Sequence, residues 1–237
     1  MSKVCWIIAG ATSSIAAQFA LIAAERGDQI ILLARDAQKM AAIAADLEVR
    51  HHAMVDYLVF DALAFETHAA IAETVMMLAQ HPINLLVAFG VMSENKVEAA
   101  QVNFTAVVSV CDVFVPYFQA QNRGSITIIG SVSGDRARAK HFTYSAAKAA
   151  LVPFCEGLQL TLKKYHVFVT LMKPGYINTP MTFGAVPEQF SASPLSCAKA
   201  CLKASDRQVA VQYFPRIWRL IMFVFRCLPK FMITKIS

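Results

Sequence analysis

Tyr144 and Lys148 stand four residues apart in a stretch that reads as helical, Tyr144-Ser145-Ala146-Ala147-Lys148, behind a strand-like run ending Ile129-Gly130-Ser131. At i and i+4 the phenol and the ammonium share one helix face. Such a pair can hold or move a proton, since a tyrosine hydroxyl both donates and accepts and a nearby cation favours its ionised form. A Tyr-x-x-x-Lys pair on its own is more often structural, so the rest of the chain must supply its context.

A second set of residues stands near the start. In Ala9-Gly10-Ala11-Thr12-Ser13-Ser14-Ile15-Ala16 a strand-like run turns into a helix, whose first amides and dipole can hold a pyrophosphate. A full dinucleotide fingerprint has three glycines; here Ser14 and Ala16 stand where the second and third would be, and their small side chains still permit close approach. An ordinary strand-to-helix turn is the competing reading of this loop alone. The second strand ends Leu32-Leu33-Ala34-Arg35-Asp36, with Ala34 where a NAD site usually puts a carboxylate against the ribose 2′-hydroxyl. The Arg35 guanidinium could instead pair with a 2′-phosphate and stack on adenine. NADPH or NADP+ is therefore expected over NADH, with Asp36 capping the next helix.

Taken together, the chain resembles the short-chain dehydrogenase/reductase family through Gly10 to Ala16, Asp61, Asn103, Ser131, Tyr144, Lys148 and Pro174-Gly175-Tyr176-Ile177-Asn178-Thr179. The match runs from about residue 4 to 181, and its most specific part is the joint spacing of Asn103, Ser131, Tyr144, Lys148 and the Pro-Gly loop. The resemblance implies an oxidoreductase that interconverts a carbonyl and an alcohol. Hydride would pass from the nicotinamide to the carbonyl carbon while Tyr144 donates a proton to the oxygen and Ser131 hydrogen-bonds it. Proton exchange near neutral pH asks the phenol to fall about three units from its ordinary value near 10, worth about 4 kcal/mol. A cation about 4 Å away at an effective dielectric near 20 contributes about that amount, so Lys148 is the expected source.

The resemblance assigns further roles. Gly10, Thr12, Ser13, Ser14, Ile15 and Gly90 would line the cofactor, Lys148 would hold the nicotinamide ribose hydroxyls, and Asn103 would anchor a water that relays protons to Lys148. Asp61 would receive the adenine amino group, and Ile177 and Thr179, after Pro174 and Gly175, would meet the nicotinamide carboxamide. Plainer readings stand beside these: Asn103 as a polar break in a helix, Asp61 as a cap for Ala62 onward, Pro174-Gly175 as an ordinary turn. The chain also departs from the family, with Val87-Ala88-Phe89-Gly90 where Asn-Asn-Ala-Gly is usual. The stretch from Gly90 to Asn103 is short, so the following helix is expected to begin late and the rim of the site to be altered there.

The elements that must position these residues alternate. Strand-like runs recur at Val4 to Ala9, Gln29 to Ala34, Val55 to Phe60, Ile83 to Ala88, Ser125 to Ile129, Val167 to Met172 and Val209 to Tyr213, mostly separated by helical stretches such as Ile15 to Arg26. Near-continuous apolar strands alternating with helices predict an α/β single-domain Rossmann fold, a doubly wound parallel sheet of about seven strands flanked by helices. Ligands in such sheets bind beyond the carboxyl ends of the strands. Residues 1–208 read as the dinucleotide-binding and catalytic domain, and 209–237 as its last strand and an apolar, basic extension. The 237 residues suit one domain. Lys3 and the apolar run behind it superficially resemble an export signal, but strand, small-residue turn and helix form an intact unit, so a cytoplasmic location is expected.

With 57% hydrophobic and 16% charged residues, the chain is more apolar than an average globular protein, which points to exposed apolar surface. Net charge is +6 and the pI near 9.1, yet Lys and Arg are scattered except near the C-terminus, which argues against nucleic acid. Cys5, Cys111, Cys155, Cys197, Cys201 and Cys227 show no disulfide-framework or zinc spacing and read as reduced, buried thiols; no metal is expected.

The run from Phe214 to Pro229 is the most unusual. A helix from Ile217 to Leu228 would extend about 18 Å, too short for a hydrocarbon core of about 30 Å. Arg219 and Arg226 fall on one face and leave a broad apolar arc, which suits either an interfacial helix at a membrane's inner face, over residues 214–237, or packing against the site or another subunit. A similar tail occurs in family members resembling the decaprenylphosphoryl keto-pentose reductases, which implies a lipid-linked or bulky apolar carbonyl substrate. Met181 to Pro194 reads as a substrate lid. A homo-oligomer is expected. The alternatives are a lipid-linked keto-sugar reductase at the membrane surface and a non-catalytic dinucleotide-binding regulator or interaction module.

Overall fold

In the computed structural model, which describes residues 3–137, 139–182 and 191–229, the first two strands are buried at every position, β1 at Cys5–Ala9 and β2 at Gln29–Ala34. A strand apolar on both sides must be covered on both faces, and helices do so here. The remaining strands are β3 (Val55–Val59), β4 (Ile83–Val87), β5 (Gly124–Ile129), β6 (Val167–Pro174) and β7 (Val211–Phe214). They form one parallel sheet in the order β3-β2-β1-β4-β5-β6-β7, the doubly wound arrangement expected. The order reverses between β1 and β4, which opens a crevice at their carboxyl ends. The run behind Lys3 forms β1, at the centre of this sheet, and the helix that follows it.

The helices divide between the faces. α1 (Ser14–Glu25), α2 (Ala37–His51) and α7 (Pro194–Asp206) pack on one side around Trp6, Phe19, Ile30 and Cys201. α3 (His68–Leu78), α5 (Ala106–Gln121) and α6 (Phe142–Leu162) cover the other around Ile7, Leu85, Phe114 and Leu151. Each fully buried Phe, Leu or Ile contributes about 1.5–3 kcal/mol, so the two layers hold the strand ends in place.

Local capping sets where the helices begin. The Ser13 hydroxyl accepts the Ala16 amide at 3.4 Å, and the Asp36 carboxylate accepts the Lys39 amide at 3.0 Å, the cap expected of it. α4 (Lys96–Ala100) is capped by Asn95, whose Oδ1 accepts the amides of Val97 and Glu98 at 3.1 and 3.2 Å. A π-helical turn, Gln101–Thr105, then joins α4 to α5. Despite the short connection from Gly90, helix precedes Asn103 by seven residues, because Asn95 supplies the cap early. The run Lys96–Gln121 is long and apolar enough to cross a membrane by length and composition, yet Val107, Val110, Cys111, Phe114 and Phe118 pack in the core.

α8 (Ile217–Cys227) follows β7 and ends one residue short of the expected Leu228. Five cysteines are buried thiols, but Cys227 is exposed on α8, because it falls on that helix's outer face. Among the described residues no cluster of three His, Cys, Asp or Glu side chains could hold a metal. Most of the expected lid, 183–190 with Phe183 and Phe190, lies outside the described residues, as do residues 230–237 of the tail.

Candidate active site

The carboxyl ends of the strands open on a cavity of about 550 Å³. Gly10, Thr12, Ser13, Ser14, Ile15, Arg35 and Asp61 line one end. Gly90, Ser131, Tyr144, Lys148, Pro174, Gly175, Ile177 and Thr179 line the rest, so every expected cofactor residue reaches one space. Asn103 does not line the cavity; it is fully buried behind it.

Ser131, two residues beyond β5 and still extended, starts a 3-10 turn, Val132–Gly134, by accepting the Ser133 amide on its hydroxyl at 3.1 Å. The turn lies against α6: a β-carbon on Gly134 would come within 2.7 Å of the Lys148 carbonyl carbon, so glycine is needed there. That contact brings Ser131 to the Tyr144 hydroxyl, with which it hydrogen-bonds. Lys148, almost fully buried, donates from Nζ to the Ile129 carbonyl at 3.0 Å, and Nζ stands 5.9 Å from the Tyr144 ring centre.

Burial depresses the Lys148 ammonium to about 8 from its ordinary 10.5, because little around it replaces the lost water. Burial also raises the Tyr144 phenol, and the Ser131 hydrogen bond works against that rise. The expected lowering of the phenol by Lys148 is therefore not what this arrangement produces. The cation is directed to the Ile129 carbonyl, and desolvation outweighs its influence on Tyr144.

Asn103 sits on the π turn, a distortion frequent at functional sites. Its Nδ2 donates to the Val91 and Ala99 carbonyls at 2.7 and 2.8 Å, and its Oδ1 accepts the Val91 amide at 3.3 Å. The side chain thus ties the helix to the strand end after β4. Gly90 lies between: a β-carbon there would be 2.8 Å from Asn103 Oδ1 and 3.5 Å from Lys148 Nζ, which explains why Gly90 remains when its neighbours depart from the family pattern.

The first cavity end fits a dinucleotide. Ser14 and Ile15, in the first turn of α1, line the cavity, and amides in a first helical turn lack an intrahelical acceptor, which suits a pyrophosphate. Gly10 takes φ +84°, and a β-carbon on it would meet the Phe89 amide at 2.6 Å, so this one glycine is required for close strand approach. Arg35 is exposed beside the cavity, with Asp36 occupied by its cap. Asp61 lines the cavity and its Oδ1 accepts the Leu63 amide at 3.0 Å within a turn; it does not cap a helix from Ala62, because the next helical turn begins only at Phe65, behind Ala64. Ile177 is buried at the floor, its carbonyl accepting the Thr182 hydroxyl, and the Thr179 hydroxyl lies 3.2 Å from that of Thr182.

Three features were not visible from spacing. First, Asp135, just after the Ser131 turn, receives Lys173 Nζ at 2.5 Å and the Tyr213 hydroxyl at 2.7 Å. Lys173 immediately precedes Pro174, so this nearly buried pair joins the Ser131 turn to the Pro-Gly loop and to β7. Burial, with the Asp135 carboxylate beside it, pushes the Tyr213 phenol up to about 12. Second, Arg136 lines the cavity and donates to the Leu228 carbonyl at 3.1 Å, capping the end of α8. Third, Trp218, Met222 and Phe225 of α8 roof the cavity, with Trp218 against Gly175 and edge-on to Tyr176 at 5.7 Å. The i, i+4, i+7 spacing of these three was legible as one helix face; what that face covers was not.

The short chain dehydrogenase family model matches residues 4–189. An uncharacterized oxidoreductase of Mycobacterium tuberculosis is 29% identical over 236 residues, covering 95% of this chain and 94% of the relative. Among solved structures, an L-sorbose reductase from Gluconobacter frateurii complexed with NADPH and L-sorbose superposes with a TM-score of 0.79 at 22% identity, covering 90% of this chain and 95% of that one. An alcohol dehydrogenase from Thermococcus sibiricus complexed with 5-hydroxy-NADP does so with a TM-score of 0.78 at 20% identity and the same coverage. At these identities the two structures attest the fold. With strand order, cavity and sequence match in agreement, this chain belongs to the short-chain dehydrogenase family and is an NAD(P)-dependent oxidoreductase.

Proposed function

We propose that the protein is an NADPH-dependent reductase of ketones or aldehydes, formally reversible, acting on a carbonyl compound with a substantial apolar part. The observation that carries this reading is the convergence of Ser131, Tyr144 and Lys148 on the same cavity as the Ser14 and Ile15 amides and Arg35. The two related structures hold NADP-type cofactors, which favours a phosphorylated dinucleotide here. A cytoplasmic location, with its reduced dinucleotide pool, accords with this chemistry.

The cofactor supplies hydride and, once oxidised, a positive charge. The chain's own groups do the rest. The Ser131 hydroxyl, already on Tyr144, orients the substrate oxygen beside the phenol. Tyr144 delivers the proton to that oxygen, and a charged Lys148 stabilises the resulting phenolate. In this reading Lys148 holds the ribose hydroxyls and receives protons through a water, while Asn103, bonded to Val91, supports the strand end and Gly90 behind it. Trp218, Met222 and Phe225 present an apolar wall to the substrate and exclude water from the reacting atoms.

The same wall favours, as a second reading, a lipid-linked keto-sugar whose chain lies along α8. The test is NADPH oxidation with a panel of small, long-chain and polyprenyl-linked ketones, alongside Tyr144→Phe. Turnover that rises with apolar chain length and falls about a thousandfold or more in the variant supports the proposal. Cofactor binding without turnover of any member would favour the non-catalytic regulator instead.

A further inference from the structure

α8 has two apolar faces. Trp218, Ile221, Met222 and Phe225 turn inward, while Ile217, Leu220, Phe223 and Val224 on the opposite side are 57, 61, 58 and 49% exposed, with Cys227 beside them. The inward face, with the Arg136 clamp on Leu228, fixes the helix to the body, so the outward face is held open. Arg216, Arg219 and Arg226 are exposed along its flank.

Charge identifies what this face meets. Six of the 22 basic residues, and none of the 16 acidic ones, lie after Asp206. The net charge of +6 therefore resides in the last 31 residues, and the 206 before them are neutral overall. A second copy placed on this face would set like charge against like charge. An anionic lipid surface satisfies both features: the apolar arc enters the acyl boundary and the guanidiniums pair with phosphates. The 11 residues of α8 span about 17 Å, which is too short to cross a bilayer and suits lying in its plane.

We infer that α8 is an interfacial docking helix that seats the protein on an anionic bilayer through Ile217, Leu220, Phe223 and Val224. This inference is independent of which carbonyl the enzyme reduces.

The full-length protein is sedimented with phosphatidylcholine vesicles, with and without phosphatidylglycerol. Each basic residue near an anionic surface strengthens binding about fivefold, so at least about tenfold more protein should sediment with the anionic vesicles. Raising ionic strength from about 0.1 M to about 1 M shortens the screening length from about 10 Å to about 3 Å and should reduce that preference. Leu220→Glu with Phe223→Glu should abolish sedimentation, leaving NADPH affinity and elution volume unchanged. If this pair does not fold, Arg219→Gln with Arg226→Gln should cut the anionic preference by about tenfold or more without changing NADPH affinity, and an unchanged preference would overturn the inference. Failure of the wild type to sediment with anionic vesicles overturns the inference. So does an oligomer that dissociates on the Leu220 and Phe223 changes without vesicle binding, since the face would then join two copies.

Discussion

Trp218 of α8 lies so close to Gly175 that a β-carbon at position 175 would stand in steric overlap with the indole ring at Nε1. The cofactor-loop glycine and the roof of the cavity are thus one packing unit, and Gly175→Ala must displace the tryptophan. The expected cost is about 1–3 kcal/mol. The Trp218 emission should shift to longer wavelength while that of Trp6, deep in the sheet, stays fixed, and KM for apolar substrates should rise with kcat less affected.

Asp135→Asn should be far more costly than Tyr213→Phe. Removing the carboxylate leaves the Lys173 ammonium buried without a partner, a loss of about 3–5 kcal/mol, whereas the phenol contributes one hydrogen bond of about 1–2 kcal/mol. Urea unfolding at neutral pH measures both. Pairing Asp135→Asn with Lys173→Met should recover much of the loss.

The pH dependence follows from Lys148. Its folded value, about 8, lies below the ordinary 10.5, so between these the unfolded chain binds more protons and stability rises with pH; below about 8 the penalty is constant. Reduction runs the opposite way, because it uses the charged lysine and the protonated phenol, and kcat/KM should fall as pH rises through about 8. Lys148→Arg should move that limb upward, and Lys148→Met should abolish turnover while flattening the stability slope. A pH–rate profile and melting temperatures over the same range decide it.

Arg35→Ala tests the cofactor end. Loss of a bidentate phosphate pair, about 1.5–3 kcal/mol, should weaken NADPH about tenfold to a hundredfold and leave NADH within about twofold in a nicotinamide-fluorescence titration. Equal weakening of both would assign Arg35 to adenine stacking alone.

Gly90→Ala should reduce kcat rather than cofactor affinity. The added methyl presses on Asn103 Oδ1 and reaches contact distance of Lys148 Nζ, so it shifts the catalytic lysine while leaving the α1 amides untouched. Single-turnover rates compared with NADPH affinity separate the two effects.

From residue pattern alone, the parallel sheet was legible, because strands buried on both faces carry runs such as Ile30-Ile31-Leu32-Leu33 that no half-exposed strand needs. The set of groups at the strand ends was legible through the resemblance to the family, which Gly10, Ser131, Tyr144 and Lys148 carry jointly; local geometry alone put only Tyr144 and Lys148 on one helix face. Tertiary structure decided the quantities that depend on burial and on contacts distant in sequence. Spacing puts Lys148 on the face of Tyr144, but only packing brings its ammonium to the Ile129 carbonyl and desolvates both groups, reversing the expected shift of the phenol. The Asp135–Lys173–Tyr213 linkage joins residues up to 78 apart and leaves no local signature. The tail was readable as an amphipathic helix with an apolar arc. That one side of it would close the cavity over Gly175 and the other face outward depended on where β7 delivers the chain, which is a property of the assembled sheet.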